Sequence, residues 1–68
     1  MNGSTGIGRN ITKLRQEHNL TQKELAYMTG ISTSYLSKIE EGRKRPGMKT
    51  LAQIAKCLNV ELQLLLRD

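Results

Sequence analysis

Four side chains close together, Thr33, Ser34, Ser37 and Lys38, supply three hydroxyls and an amine. On a helix that starts after a Ser32 N-cap and turns Leu36 and Ile39 inward at i and i+3, these four are left on the outer side. Short donors and acceptors at a helix N-terminus have no task inside a core. They suit the major groove of DNA, where base edges present donors, acceptors and thymine methyls. Just beyond them, Arg43, Lys44, Arg45 and Lys49 hold 4 of the 11 basic side chains, with Pro46 and Gly47 between to stop the helix. A charge run is commonly only a solvated loop, but beside such a helix it is better placed to neutralise phosphate. Tyr35 has two readings, a packed ring with its hydroxyl in water or a phosphate donor.

Nothing comparable points to catalysis. His18 and Cys57, the single histidine and single cysteine, fall in separate predicted helices, and no carboxylate pair or metal-ligand spacing accompanies them. Cys57 has no intrachain partner for a disulfide and reads as a small, half-buried apolar residue; His18 reads as a cap that complements the helix dipole. Gly3, Gly6 and Gly8 lack both the preceding strand and the following Gly-Lys-Ser/Thr of a phosphate loop. The expectation is a protein that is not an enzyme and uses no metal or cofactor.

The elements that must position the polar face follow from local signals. Thr21 and Glu24 have the spacing of a capping box, and Leu20 with Leu25 that of a hydrophobic staple, so a helix begins after Thr21. It turns Leu25, Ala26 and Thr29 inward and ends at Gly30, where positive φ is cheapest. Ile31 packs beneath the turn, the polar-faced helix follows, and Gly42 closes it. Ahead of this pair, Ile7, Ile11 and Leu14 form one stripe on a helix from Ile7 to His18. After it, a fourth helix from Met48 to Leu58 buries Met48, Leu51, Ile54, Ala55 and Leu58. Asn59 takes a left-handed turn into a fifth helix from Glu61 to Leu66. The fold class is therefore all-α, five compact helices over residues 7–68 behind a flexible N-terminus at residues 1–6. Of Tyr27 and Met28, one is expected to meet a partner and the other to fill the core.

Sixty-eight residues are near the lower limit for a self-supporting core, which favours borrowing stability from a partner. The net charge of +5 favours a polyanion, and on charge alone an anionic membrane surface would serve as well. The longest uninterrupted apolar run, Leu64 to Leu66, is far too short to span a membrane, so a soluble cytoplasmic protein is expected. Leu62 and Leu65 continue the core stripe from Leu58, while Leu64 and Leu66 cannot all join it. Surplus leucine on the last helix marks an interface, and Leu62, Leu64 and Leu66 are its candidates for a homodimer.

The strings L-T-Q-K-E-L-A, G-I-S, S-Y-L-S-K-I-E-E-G-R and T-L-x-x-I-A-x-x-L-x-V closely resemble the helix-turn-helix domains of the phage-repressor (Cro/cI-like, or Xre) family, over roughly Ile7 to Leu66. The resemblance implies a lambda-repressor-like DNA-binding domain in which helices 2 and 3 form the helix-turn-helix. It puts Thr33 and Ser34 at the base-reading positions, Lys38 one turn further along with Ser37 between, and Gln22 against a phosphate. It also implies an ion pair between Arg15 and Glu40, and a dimer that binds double-stranded DNA at a pseudo-palindromic operator to regulate, and most simply repress, transcription. Tyr27 and Met28 depart from the family pattern, which usually has charged or polar residues there. The rival reading from another class is a protein-interaction module, antitoxin-like or accessory, whose apolar C-terminus captures a partner protein of unknown identity and whose DNA binding is secondary.

Overall fold

The computed structural model describes residues 6–67, and its two central helices begin and end at local backbone signals. The elements are α1 (Gly6–Glu17), α2 (Gln22–Thr29), α3 (Thr33–Glu40), α4 (Met48–Cys57) and α5 (Leu62–Leu66). At the start of α2 the capping box is complete: Thr21 Oγ1 accepts from the Glu24 amide at 3.0 Å, and Glu24 Oε1 accepts from the Thr21 amide at 2.8 Å. Ser32 caps α3 by accepting from the Tyr35 amide. Gly30 (φ 84°) and Gly42 (φ 80°) take the left-handed conformation after α2 and α3, and Asn19 and Asn59 do so after α1 and α4.

These ends set the packing. α2 and α3 lie against each other across the Gly30 turn; α1 covers α3 and α5, and α4 bridges α2 and α5. Ile11, Leu25, Leu36, Ile39, Ile54, Leu58 and Leu65 meet in the centre, all essentially inaccessible to water. α1 and α3 cross so closely that a Cβ on Gly8 would stand 2.7 Å from the carbonyl oxygens of both Ile39 and Glu40. Asn10 ties the other end of the chain to the same helix, its Nδ2 donating to the carbonyls of Leu65 (3.0 Å) and Arg67 (2.8 Å). A five-residue helix without a side-chain cap is thus held by tertiary contacts.

The structure departs from the sequence expectations at Met48, at Tyr27 and Met28, and at both ends of α1. Met48 is 59% exposed rather than buried. A helical side chain leans back over the turn before its own Cα, and at the first residue of α4 there is no such turn to lie on. Tyr27 and Met28 are both exposed, so neither fills the core: Leu25, Ala26 and Thr29 already occupy the inward positions of an eight-residue helix. α1 takes in Gly6 and stops at Glu17, leaving His18 in the following turn, where its Nδ1 lies 2.8 Å from the Leu14 carbonyl oxygen. The remainder of the expected flexible N-terminus, residues 1–5, lies outside the described residues.

Candidate nucleic-acid interface

The orientation of α3 is fixed at its last residue. Glu40 is buried, and its carboxylate accepts four hydrogen bonds from two other helices. From α1, Arg15 Nε donates to Oε2 at 2.8 Å, Arg15 Nη2 to Oε1 at 3.1 Å and Thr12 Oγ1 to Oε1 at 3.0 Å. From α2, Gln22 Nε2 donates to Oε1 at 3.0 Å. Arg15 is itself held by Nη1, which donates to the Leu20 carbonyl at 2.7 Å just ahead of α2. One carboxylate therefore locks α1, α2 and α3 at a single point, with a two-pronged guanidinium contact of fixed geometry. Among the described residues no buried side-chain polar atom is left without a partner.

With α3 so held, Thr33, Ser34 and Lys38 are exposed on its outer side as a set of hydrogen-bonding groups. Ser37 differs: it is half-buried, and its hydroxyl lies 3.3 Å from Glu41 Oε2. Tyr35 is half-buried with its ring against the core. The loop after α3 is folded back on the helix, with the amides of Arg43 and Lys44 donating to the Lys38 carbonyl. Pro46 is buried and pins the loop, whereas Arg43, Lys44, Arg45 and Lys49 are exposed. Arg43 Nη1 lies 3.1 Å from Glu41 Oε1, but both side chains are well exposed and such a pair is worth little in water. The guanidinium remains free to exchange that carboxylate for a phosphate.

Gln22 stands at the first turn of α2 as expected for a phosphate neighbour, yet one of its amide hydrogens is committed to Glu40. The second amide hydrogen and the backbone amides of that turn are what it has left to offer an anion. Thr12 and Gly8 belong to the same construction and were missed. Gly8, Thr12 and Arg15 each follow a residue of the Ile7, Ile11 and Leu14 stripe and make a second stripe of small and polar residues, a pattern that marks a side of α1 but not the helix it meets.

At the other end of the molecule Leu65 is fully buried, Leu62 and Leu64 are half-buried and Leu66 is 38% exposed. Leu64 separates two surface clefts. One is lined by Lys56, Asn59, Val60, Glu61 and Gln63, the other by Asn10, Lys13, Leu14 and Glu17, and Arg67 borders both. Leu62 and Leu65 meet the core as the stripe from Leu58 predicts, which leaves half-buried Leu64 and exposed Leu66 as the apolar surplus on α5. Among the described residues no group of three metal-ligating side chains occurs, and no helix is long and apolar enough to cross a membrane.

Two short helices crossing through a glycine turn, the second carrying an exposed polar strip beside a basic loop, define a helix-turn-helix module. Residues 11–65 match the model of the helix-turn-helix family, and the chain belongs to that family. It is 43% identical over 54 residues to an uncharacterised HTH-type transcriptional regulator of Sinorhizobium fredii, covering 79% of this chain and 70% of that protein. To the immunity repressor protein of Bacillus phage phi105 it is 38% identical over 56 residues, 82% of this chain but 39% of the repressor, so it spans less than half of that relative. Among solved structures, the biofilm master regulator SinR in complex with DNA superposes with a TM-score of 0.85 at 34% identity, covering 90% of this chain and 98% of that one. The protein is thus a transcriptional regulator with the DNA-binding fold of the phage repressors, and not an enzyme.

Proposed function

We propose that this chain is a sequence-specific repressor that works in the cytoplasm as a homodimer on a pseudo-palindromic operator, with α3 laid in the major groove of double-stranded DNA. The observation that carries this reading is the exposed strip of Thr33, Ser34 and Lys38 on a helix whose angle is locked through Glu40, next to the exposed Arg43, Lys44 and Arg45. Lys38 donates to guanine O6 and N7, and Thr33 and Ser34 bond base edges or touch a thymine methyl. Ser37, its hydroxyl beside Glu41, contributes at the margin of the strip. Gln22, Tyr35 and the three loop cations meet phosphates, which set register and affinity without reading sequence. Leu62, Leu64 and Leu66 face the second copy, which places two copies of α3 about 34 Å apart on successive major grooves. The phage phi105 immunity repressor and the DNA-bound SinR support the reading by likeness.

The test is the pair of substitutions Lys38→Ala and Arg45→Ala in one chain, assayed for binding to duplex DNA. We expect the affinity for the preferred sequence to fall by at least about a hundredfold, from one lost base contact and one lost phosphate contact in each half-site. Unchanged duplex binding, together with retained capture of a protein partner, would replace this reading with that of a protein-interaction module.

A further inference from the structure

The outer side of α2 carries two exposed residues that neither enter the core nor cap a helix. Lys23 and Tyr27, spaced i and i+4, stand one above the other on that helix. Tyr27 is 87% exposed, and Lys23 is exposed as well. With Glu24, Ile31, Ser32 and Thr33 they line an open groove of about 440 Å³.

Position and charge both bear on what fills that groove. Ser32 is the N-cap of α3 and Thr33 its first residue, so the groove opens onto the end of α3 that meets base edges in the proposed complex. When a helix-turn-helix docks, its first helix crosses the DNA backbone, which lays this flank of α2 over the sugar-phosphate strand bordering the major groove. Lys23 is the groove's one cation. Its one carboxylate, Glu24, is already engaged by the Thr21 amide in the capping box. Tyr27 and Ile31 add apolar surface to the lining, and the Tyr27 hydroxyl adds a neutral donor one helical turn from Lys23.

We propose that Lys23 and Tyr27 form a second backbone contact of the DNA interface, gripping a phosphate with the ammonium and the phenol while the ring lies against the sugar. This rests on the operator-binding reading above and extends it from α3 and its loop onto α2.

The variants Lys23→Ala, Tyr27→Phe and Tyr27→Ala in the full chain test it, since all three alter exposed side chains and leave the core untouched. Affinity is measured over a range of salt for two probes, a duplex pool of random sequence and the operator recovered by selection. Lys23→Ala should lower the log-log salt slope by about 0.9 per chain. Tyr27→Ala should weaken both probes by the same factor, about tenfold, because a backbone contact carries no sequence information. Tyr27→Phe should fall between, retaining the ring and losing the phenol. Wild-type affinity and slope in all three variants, with the parent chain binding both probes, would overturn the α2 contact while leaving the reading of α3 intact; the exposed phenol would then belong to a protein partner. A parent chain that binds neither probe would overturn the operator reading and this inference with it.

Discussion

Replacing Arg15 by methionine is the most direct way to ask what holds α3 at its angle. The substitution removes the two donors at 2.8 and 3.1 Å and leaves the Glu40 carboxylate, whose side chain is only 4% exposed, with Thr12 and Gln22 alone. Stranding one member of a buried ion pair costs about 3 to 5 kcal/mol. The 12% exposure of the Arg15 side chain lets some water reach the vacated site and places this case near the lower end, about 3 kcal/mol. A domain of this size has a total stability of about 3 to 10 kcal/mol, so about 30% or more is lost. At about 4 to 8 °C per kcal/mol, the melting temperature should fall by about 12 to 24 °C. Urea unfolding followed by far-UV circular dichroism measures the loss directly, with the m-value unchanged if only stability has moved. The companion Arg15→Met/Glu40→Leu removes both charges and should recover most of the deficit, because the penalty comes from the unpaired carboxylate. If Arg15→Met unfolds within about 0.5 kcal/mol of the parent, the pair behaves as a solvated surface contact and the reasoning is wrong.

Gly8→Ala pushes a methyl carbon to 2.7 Å from two backbone carbonyl oxygens that cannot rotate away. It should cost about 1 to 3 kcal/mol in the same unfolding experiment, and a neutral result would show that α1 and α3 can move apart freely. Leu66→Glu puts a charge on the exposed end of α5 and should shift the monomer–dimer equilibrium toward monomer by at least about tenfold in sedimentation equilibrium while leaving monomer stability nearly unchanged. An unaltered assembly state would place the two-fold contact elsewhere on the molecule.

What could be read in the sequence was what depends on a few consecutive residues. The Thr21 and Glu24 box, the Ser32 cap and the positive-φ positions at Gly30, Gly42 and Asn59 are each decided within one turn of chain, and each is found where expected. The apolar stripes from Ile11 to Leu65 were equally legible, because helical period alone selects an inward side. Of the candidate site, the exposure of Thr33, Ser34 and Lys38 followed from that same period, as the remainder once Leu36 and Ile39 were placed inward.

Long-range geometry was not legible. Gly8 is required only because α1 and α3 cross where they do, and Asn10 acquires its purpose from carbonyls 55 and 57 residues further on. The side chain of Gln22, expected to face a phosphate, turns one hydrogen to a carboxylate 18 residues away. The partnership of Arg15 with Glu40 came from resemblance to a family, since neither residue's neighbours in the chain announce it. Met48, and whichever of Tyr27 and Met28 was expected in the core, show the converse error, in which an apolar residue type was taken for burial without a neighbouring element to bury it.

The central claim, that a locked α3 reads DNA sequence from a two-fold dimer, is tested most directly by selecting bound duplexes from a random pool at near-physiological salt while recording the dimerisation state at the same protein concentration. The account predicts a recovered motif with two-fold symmetry, its half-sites about one helical turn apart, bound by a dimer. Failure to enrich any sequence, with binding that vanishes as salt rises, would contradict it and reduce the basic face to non-specific attraction.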